Sequence, residues 1–344
     1  ADRTRDFAWV ASSQYLWDAT SVRVPGARGD SNTVTVNALY RPSARAWRAA
    51  DGFAARVMAF YSGYLWPYPY PQLTVAEGPW GGMEYPLFTV VWPFRDTVDL
   101  FTVMAHEIGH MWFPMQVGSD EKRVPWMDEG LTQFDGDMAV SELMHPSDDP
   151  MLRDVDAYLS VARQHHEEPM STHADGIPGP AWGAAAYFKP VAMLRALRGM
   201  LGDSVFMRAY RAYGRRWFLR HPSPIDFAQT FSDVSGQALD WFWRQWIPGT
   251  AVHDLVLKRV AMVGDSIEVV VENRGGLTLP AIVEVRRADS TRQRATIPVA
   301  EWLRGTRRVT LRFGNAPRVV EVVIDPDRWF PAINRNGQRW PDSY

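Results

Sequence analysis

The spacing of apolar residues changes along the chain and divides it into three parts. In the first, short alternating runs predict strands, and Thr33–Tyr40 places Val34 and Val36 on one face. From about Met127 to Trp246 helices are predicted to dominate, interrupted by a Pro/Gly-rich loop at residues 168–180 and a turn at residues 221–224. After Pro248 the spacing falls to two and turn residues recur about every ten positions, which predicts a small antiparallel sandwich. The alternating positions of this last part are Ile267, Val269, Val271, Ile282, Val283, Val285, Val309, Leu311, Phe313 and the run 319–324.

Within the first part, a helix and two strands surround a glycine-rich segment. Ser43 is a predicted N-cap for a helix that continues to about Tyr64, where a run of alternating prolines stops it. Leu73–Ala76 and Leu87–Val91 have the composition of strands and bracket residues 77–85, which contain the glycines. The glycine-rich segment is therefore predicted to connect two strands.

Two further helices are predicted around a pair of histidines. Asp96 or Thr97 is expected to cap the first of these helices, which Pro114 is expected to end. Gly118 and Pro125 then indicate a connection to a second helix that contains Glu129.

Composition is typical of a large folded protein. The chain has 344 residues, of which 46% are apolar and 22% charged, and its length suggests two domains with a fragment of a third. Its net charge is −2 and no long run of like charges occurs, which argues against nucleic acid and anionic membranes as partners. No apolar run approaches 18 residues, so we predict no membrane span. The 16 tryptophans are interpreted mainly as core packing.

The chain has no cysteine, which excludes disulfide bonds and thiolate metal ligands but leaves the compartment open. It begins at Ala1 and has no apolar stretch typical of a signal peptide. We therefore expect a processed or excerpted piece, and favour an exported bacterial protein, periplasmic or extracellular.

The segment His106–His110 has the pattern His-Glu-x-x-His. Residues four apart on a helix lie about 40° apart around its axis, so His106 and His110 can reach one ion. Glu107 then projects beside that ion, where it can take a proton from a metal-bound water. A solvated helix that carries two histidines by chance is the alternative interpretation, and the downstream Trp126–Gly130 makes it the weaker one.

Glu129 follows His110 after a gap of 18 residues. A catalytic zinc usually has three protein ligands and keeps a fourth position for water. Glu129 can supply the third ligand from the following helix, so His106, His110 and Glu129 are the predicted metal ligands.

These residues resemble the M1 family of zinc aminopeptidases, in the gluzincin group. That family carries His-Glu-x-x-His, then 18 residues, then Glu within Trp-x-x-Glu-Gly. Its upstream signature, Gly-x-Met-Glu-Asn, is similar to Gly81–Tyr85, and its downstream signature, Tyr-x-Lys-Gly, is similar to Tyr187–Pro190. The three motifs occur in the family's order. Tyr85 stands where the family has Asn, and Pro190 where it has Gly.

The resemblance implies an α+β fold with a thermolysin-like, mainly helical zinc-peptidase catalytic domain at residues 31–250. An antiparallel β-sandwich is expected at residues 251–344, and residues 1–30 are expected to be the tail of the β-rich domain that precedes the catalytic domain in the family. It also implies one zinc ion per chain.

Glu84 is the residue that would make such a protease an aminopeptidase, because a desolvated carboxylate can pair with the ammonium of a free peptide N-terminus. Gly81 and Gly82, with Met83, would let the backbone approach an extended substrate closely. Trp80 lies where the family shapes the pocket for the first side chain. Taken alone, this segment would be a turn with an exposed glutamate, and the linked zinc motif favours the anchor.

Tyr187 is the third candidate for chemistry. Attack of water on a carbonyl creates an oxyanion, to which a positioned phenol can donate. A tyrosine between alanines and Phe188 could instead be a core residue, but its position after Glu129 and before Lys189 favours the functional interpretation. Pro190 is compatible with this if Tyr187 lies at a helix start, where proline costs no helical hydrogen bond.

Other candidate sites are weaker. The run 165–168 contains two His and two Glu, but a charged helix end explains it better than a second metal site. No serine lies in a Gly-x-Ser-x-Gly frame, and the glycines at 199 and 202 lack a phosphate-binding lysine.

The sequence therefore predicts a zinc-dependent aminopeptidase that acts on peptides with a free N-terminus. An endopeptidase or an epoxide-opening relative stays open as an alternative, and either would leave the ammonium anchor unused. A non-catalytic scaffold is another, but such proteins lose residues of the zinc motif, and here all four are present.

Overall fold

The computed structural model describes residues 4–26 and 29–341. Residues 1–3, 27 and 28, which belong to the segment expected to be the tail of a preceding domain, lie outside the described residues. The described chain forms an α+β fold in which a helical body carries one mixed sheet and is followed by two small antiparallel sheets. No helix in this described part is both long and apolar enough to cross a lipid bilayer.

The mixed sheet has five strands in the order β1-β2-β3-β5-β4. Strands β2, β3 and β5 are parallel, whereas β1 and β4 are antiparallel to their neighbours and form the two edges. The strand bounds are Leu16–Pro25 (β1), Ser31–Tyr40 (β2), Gln72–Glu77 (β3), Met83–Tyr85 (β4) and Phe88–Val91 (β5). The three strands predicted between residues 33 and 91 are confirmed, and β4 lies inside the glycine-rich segment that they bracket.

The domain boundary predicted at residue 30 falls within a hairpin. β1 pairs with β2 along its whole length, from Leu16 opposite Tyr40 to Pro25 opposite Ser31. Residues 16–25 therefore belong to the same sheet as the strands that follow. The family assignment of the residues before β1 stays a prediction.

The helix predicted from Ser43 begins later than expected. A 3-10 turn, Arg45–Ala49, precedes helix α1, Ala50–Tyr64, and neither has a side-chain cap. Trp47 lies in this turn, is fully buried, and donates its indole N–H to the carbonyl of Trp92 at 3.1 Å. Burial of this large side chain, rather than a serine cap, determines how the chain enters α1.

Helix α2, Thr97–Gly109, is capped as predicted, since the Asp96 carboxylate accepts hydrogen bonds from the backbone N–H groups of Val98 and Asp99. Its predicted end at Pro114 is wrong. After Gly109 the hydrogen bonding changes to the tighter 3-10 type, because the N–H groups of Met111 and Trp112 donate to carbonyls three residues back. His110 is therefore the first residue beyond α2.

The helical body continues with α3 to α9, and a 3-10 turn, Pro125–Met127, precedes α3. A π-helical turn, Ala184–Phe188, connects α5 to α6. The helix bounds are Glu129–Met144 (α3), Pro150–Arg163 (α4), Gly179–Gly183 (α5), Lys189–Leu201 (α6), Asp203–Trp217 (α7), Pro224–Ser235 (α8) and Asp240–Trp246 (α9). The helical character predicted for residues 127–246 is confirmed.

The predicted sandwich is present, and all its strand pairs are antiparallel. One sheet has the order β10-β7-β6 and the other β12-β11-β8-β9. Side chains such as Val269, Val283 and Val322 are fully buried between the sheets. The bounds are Leu255–Val263 (β6), Ser266–Asn273 (β7), Ala281–Arg287 (β8), Arg292–Ile297 (β9), Val299–Leu303 (α10), Arg308–Gly314 (β10), Val319–Ile324 (β11) and Arg339–Trp340 (β12).

The chain crosses between the helical body and the sandwich more than once. After β11 it returns to the helices, where Phe330 is buried in the helical core. There Arg195 of α6 donates to the carbonyl of Arg328 at 3.0 Å. Packed side chains and this hydrogen bond therefore join the helical body to the segment that follows β11.

Candidate metal centre

Three side chains converge where α2 ends and α3 begins. His106 lies in the last turn of α2, His110 directly after it, and Glu129 is the first residue of α3. The two Nε2 atoms are 3.1 Å apart, and Oε2 of Glu129 lies 3.2 Å from His106 Nε2 and 3.4 Å from His110 Nε2. Ligands about 2.1 Å from a tetrahedral zinc are separated by about 3.4 Å. The three donors therefore fit a zinc ion without rearrangement of the backbone.

His110 is oriented by groups around its other ring nitrogen. Its Nδ1 lies 2.9 Å from the carbonyl oxygen of Phe113 and 3.0 Å from Oδ1 of Asp128. A proton on Nδ1 can be donated to the Phe113 carbonyl beside the Asp128 carboxylate, and it leaves the lone pair of Nε2 free for a metal, the usual arrangement of metal-bound histidines. The surroundings of His110, like the three donor atoms, therefore fit a bound metal ion.

Burial and hydrogen bonding act in opposite directions on Glu129. Burial raises the pKa of this carboxyl group, but the attraction of the neighbouring His106 and His110 rings outweighs burial and holds the pKa below its ordinary value. Glu129 therefore stays ionised, as a metal ligand must be.

Glu107 is buried next to the ligands, with 3% of its surface exposed. Burial raises the pKa of its carboxyl group to about 7, against the opposing effect of the two histidines. Its Oε2 has no hydrogen-bond partner among the described residues. A carboxylate with a pKa near neutrality and a free oxygen is suited to take up and release a proton.

Glu84 lies on the edge strand β4, opposite Thr89 of β5. Burial raises the pKa of its carboxyl group. One of its oxygens lies within 4.8 Å of a ring nitrogen of His110 and of a carboxylate oxygen of Asp128. The carboxylate that the sequence predicted as an amine anchor is therefore adjacent to the metal ligands.

Tyr187 projects from the π-helical turn onto the predicted ligand His106, with ring centroids 5.8 Å apart and an interplanar angle of 28°. Burial and the nearby charge of Glu129 raise the pKa of its phenol. The phenol therefore keeps its proton at neutral pH and can act as a hydrogen-bond donor.

The two departures from the family's motifs fit this structure locally. Pro190 is the second residue of α6, but the π-helical turn Ala184–Phe188 runs directly into this helix, so Tyr187 does not lie at a free helix start as expected. Pro190 packs against the backbone of Gly130. Lys189 is buried beside it and donates to the carbonyl of Gly249 at 2.6 Å. Tyr85 is half-buried on β4, opposite Phe88.

A cavity of about 360 Å³ opens over these residues. Seven of the residues singled out from the sequence line it: Gly82, Glu84, His106, Glu107, His110, Glu129 and Tyr187. Gly81 and Met83 are outside its lining, and Trp80 is 81% exposed and also outside it. The substrate-binding roles predicted for these three residues stay predictions.

Trp92 lines the cavity and was not singled out from the sequence. It follows β5, and the pairing of Met83 with Val90 brings it near the glycines of the opposite strand. Only this strand register could have indicated it, since Trp92 belongs to no local motif.

Residues 52–246 match a family model described as the peptidase family M1 domain. Human aminopeptidase N is 28% identical to this chain over 213 residues, which are 53% of this chain and 22% of that protein. Among solved structures, aminopeptidase A of Legionella pneumophila, in complex with aspartic acid, aligns with a TM-score of 0.72 at 16% identity. That alignment covers 92% of this chain and 38% of the Legionella chain.

An M1 zinc metallopeptidase from Deinococcus radiodurans aligns with a TM-score of 0.54 at 21% identity, over 68% of this chain and 52% of that chain. At these identities the structural matches show a shared fold. The chain spans about a fifth of the human relative and about two fifths of the Legionella chain.

Proposed function

The chain belongs to peptidase family M1, and on that basis we propose that it is a zinc-dependent aminopeptidase with one zinc ion per chain. The observation that carries the proposal is the convergence of His106, His110 and Glu129, with the Glu84 carboxylate within 4.8 Å of His110. The thermolysin-like character of the catalytic domain is part of the same proposal, supported by a mixed sheet whose edge strand lies beside the metal ligands.

His106, His110 and Glu129 would hold the zinc through Nε2, Nε2 and a carboxylate oxygen. When bound, zinc polarises the scissile carbonyl and lowers the pKa of a water molecule toward 7. Asp128 and the Phe113 carbonyl keep the His110 ring in the tautomer and orientation that binding needs.

Glu107 moves the proton. Its raised pKa, about 7, lets it accept a proton from the attacking water and return it to the leaving amine at neutral pH. Because its Oε2 has no partner among the described residues, no protein hydrogen bond has to break first.

Tyr187 and Glu84 act at the two ends of the reacting group. The Tyr187 phenol keeps its proton and can donate to the carbonyl oxygen as negative charge develops on it. Glu84 can pair with the substrate ammonium, which fixes the first peptide bond over the reacting centre. A blocked N-terminus removes this pairing, so the geometry supports an exopeptidase rather than an endopeptidase.

The test is an assay of the full-length protein on a panel of aminoacyl fluorogenic substrates and on one peptide in free and N-acetylated forms. We expect close to one zinc per chain by elemental analysis, release of single amino-terminal residues, and little cleavage of the acetylated peptide. Equal cleavage of both peptides, or first cuts at internal bonds, would favour the endopeptidase alternative. A protein that binds no zinc and cleaves nothing would favour the scaffold.

A further inference from the structure

Trp92 lies directly across the backbone of Gly81 and Gly82. A Cβ atom on Gly81 would be 2.5 Å from Cδ2 of the indole, and one on Gly82 would be 2.6 Å from Cη2. Only glycine leaves room for this contact at either position. The indole therefore occupies the space where side chains would otherwise project from the segment that leads into β4.

The far edge of this indole reaches the reacting centre. A Cβ atom on Gly82, which would be 2.6 Å from Cη2 of Trp92, would also be 3.6 Å from Oε1 of Glu107. The aromatic ring and the proposed general base thus flank the same point. Trp92 is 43% exposed and lines the cavity together with Thr102 and Val103 of α2.

The position of Trp92 relative to a bound peptide follows from the proposed function, on which this inference rests. Glu84 holds the ammonium, and Glu107, which acts on the first peptide bond, lies against Gly82. A substrate therefore runs from Glu84 toward Gly82, antiparallel to β4. The residue after the cleaved bond then passes Gly82, where the indole is exposed.

We propose that Trp92 is a specificity-determining residue, and that its indole forms the wall against which the second residue of a peptide substrate packs. The surface that it offers with Val103 is flat and apolar, so aromatic and large aliphatic second residues are favoured over glycine and alanine. Two contacts hold Trp92 in place. The Trp92 carbonyl accepts a hydrogen bond from buried Trp47, and the ring of Phe94 packs edge-on at 6.1 Å.

The experiment compares Trp92→Ala, Trp92→Phe and wild type in the zinc-loaded, full-length enzyme. Dipeptides with one fixed first residue and Phe, Leu, Ala or Gly in second place are assayed beside the corresponding amino-acid amide, which has no second residue. Trp92→Ala should lower kcat/KM for Phe and Leu dipeptides by about tenfold or more, a usual effect of an apolar subsite. The amide and the Gly dipeptide should change little, and Trp92→Phe should restore most of the loss.

Trp9→Ala is the matched control, since Trp9 is 75% exposed and lies outside the residues that line the cavity. It should leave the order of second residues unchanged. If Trp92→Ala slows the amide as much as the dipeptides, Trp92 only supports the glycine segment and the proposal is wrong. A change in the preferred first residue would assign the indole to the other side of the bond and would equally overturn it.

A binding measurement separates this proposal from the proposed function. Reduced-amide dipeptide isosteres, which cannot be hydrolysed, are titrated by calorimetry with Phe or Gly in second place. Trp92→Ala should weaken the Phe isostere by about tenfold and leave the Gly isostere unchanged. A wild type that cleaves no substrate refutes the aminopeptidase, whereas equal binding of the two isosteres by wild type refutes the subsite.

Discussion

Glu107 lies beside the three metal ligands but contributes no ligand atom to their cluster. Glu107→Gln keeps the shape of the side chain and removes its ability to accept a proton. We expect zinc content to stay at the wild-type value while kcat falls by about 10²–10⁴-fold, the usual contribution of a general base. Metal analysis and a steady-state assay of the same sample test this. Near-normal turnover in the zinc-loaded variant would mean that another group is the base.

Glu84 is the proposed anchor of the substrate amine. Removing one partner of a buried charge pair costs about 2–5 kcal/mol, so Glu84→Ala should lower kcat/KM on free-amine peptides accordingly. Part of the loss should appear in kcat, because the anchor also positions the reacting carbonyl. The acetylated form of the same peptide is the control, and its slow cleavage should not change. A variant that loses equal activity on both forms would argue against an ammonium contact.

The residues of the centre differ in how far the sequence predicts them. His106, His110 and Glu107 follow from the geometry of a single helix turn, and Glu129 from its spacing to them. Trp92 could not be predicted in this way, because it reaches the cavity only through the pairing of β4 with β5. Trp80, which the family resemblance singled out, is 81% exposed in the segment just before the two glycines.

At the scale of elements, α3 packs closely against the start of α6 through a glycine. A Cβ atom on Gly130 would lie 2.3 Å from the Cβ of Pro190 and 2.9 Å from the carbonyl oxygen of Ala186. Gly130→Ala must therefore displace backbone next to the ligand Glu129 and the turn that carries Tyr187. We expect a loss of about 1–3 kcal/mol in the free energy of unfolding, typical of overpacking. Denaturant unfolding of the metal-free protein measures it.

Gly52→Ala is the matched control for this substitution. Gly52 also lies inside a helix, α1, but a Cβ atom there would meet nothing within 4 Å. Alanine should stabilise the protein at this position by up to about 1 kcal/mol through helix propensity. If both substitutions have the same effect, the contact between α3 and Pro190 is not tight in solution.

The ends of the elements were harder to predict than their existence. The Asp96 cap was predictable because it depends on the next few residues only. The start of α1 and the end of α2 could not be predicted from the neighbouring residues. Buried Trp47 reshapes the chain before α1, and tightened hydrogen bonds end α2 five residues before the proline that was expected to stop it.

At the scale of the whole molecule, His253 lies fully buried where the chain leaves the helical body for the sandwich. Its Nδ1 is 3.3 Å from the carbonyl oxygen of Leu277, and its backbone pairs with Ala332 of the returning segment. Burial lowers the pKa of this imidazole from 6.5 to about 4. The folded protein therefore binds fewer protons than the unfolded chain between these two values.

This difference makes stability depend on pH. The contribution of neutral His253 is fully present above pH 6.5 and is lost as the pH falls through 6.5 toward 4, with a total of about 3 kcal/mol. Denaturant unfolding of wild type and His253→Gln at pH 7.5 and pH 5 tests this. The decrease at pH 5 should be smaller in the variant, because glutamine does not titrate. An identical decrease in both proteins would assign the acid sensitivity to other groups.

The sandwich was predictable from its period-two pattern, but its connection to the helices was not. The alternation of Val269 with Val271 indicates a strand wherever the strand lies. The return of Phe330 to the helical core, and the bond from Arg195 to the Arg328 carbonyl, join residues more than a hundred positions apart in sequence. No local pattern encodes such contacts.

The hydrogen bond from buried Lys189 to the Gly249 carbonyl links the sandwich mechanically to the helical body. Gly249 lies in the short linker that leads to the sandwich, and Lys189 is two residues beyond Tyr187. A rotation of the sandwich about that linker has to stretch this hydrogen bond and pull on the turn that carries the phenol. Pro190, the residue after Lys189, packs against Gly130 beside Glu129. Force applied to the sandwich would thus reach Tyr187 and the start of α3 together.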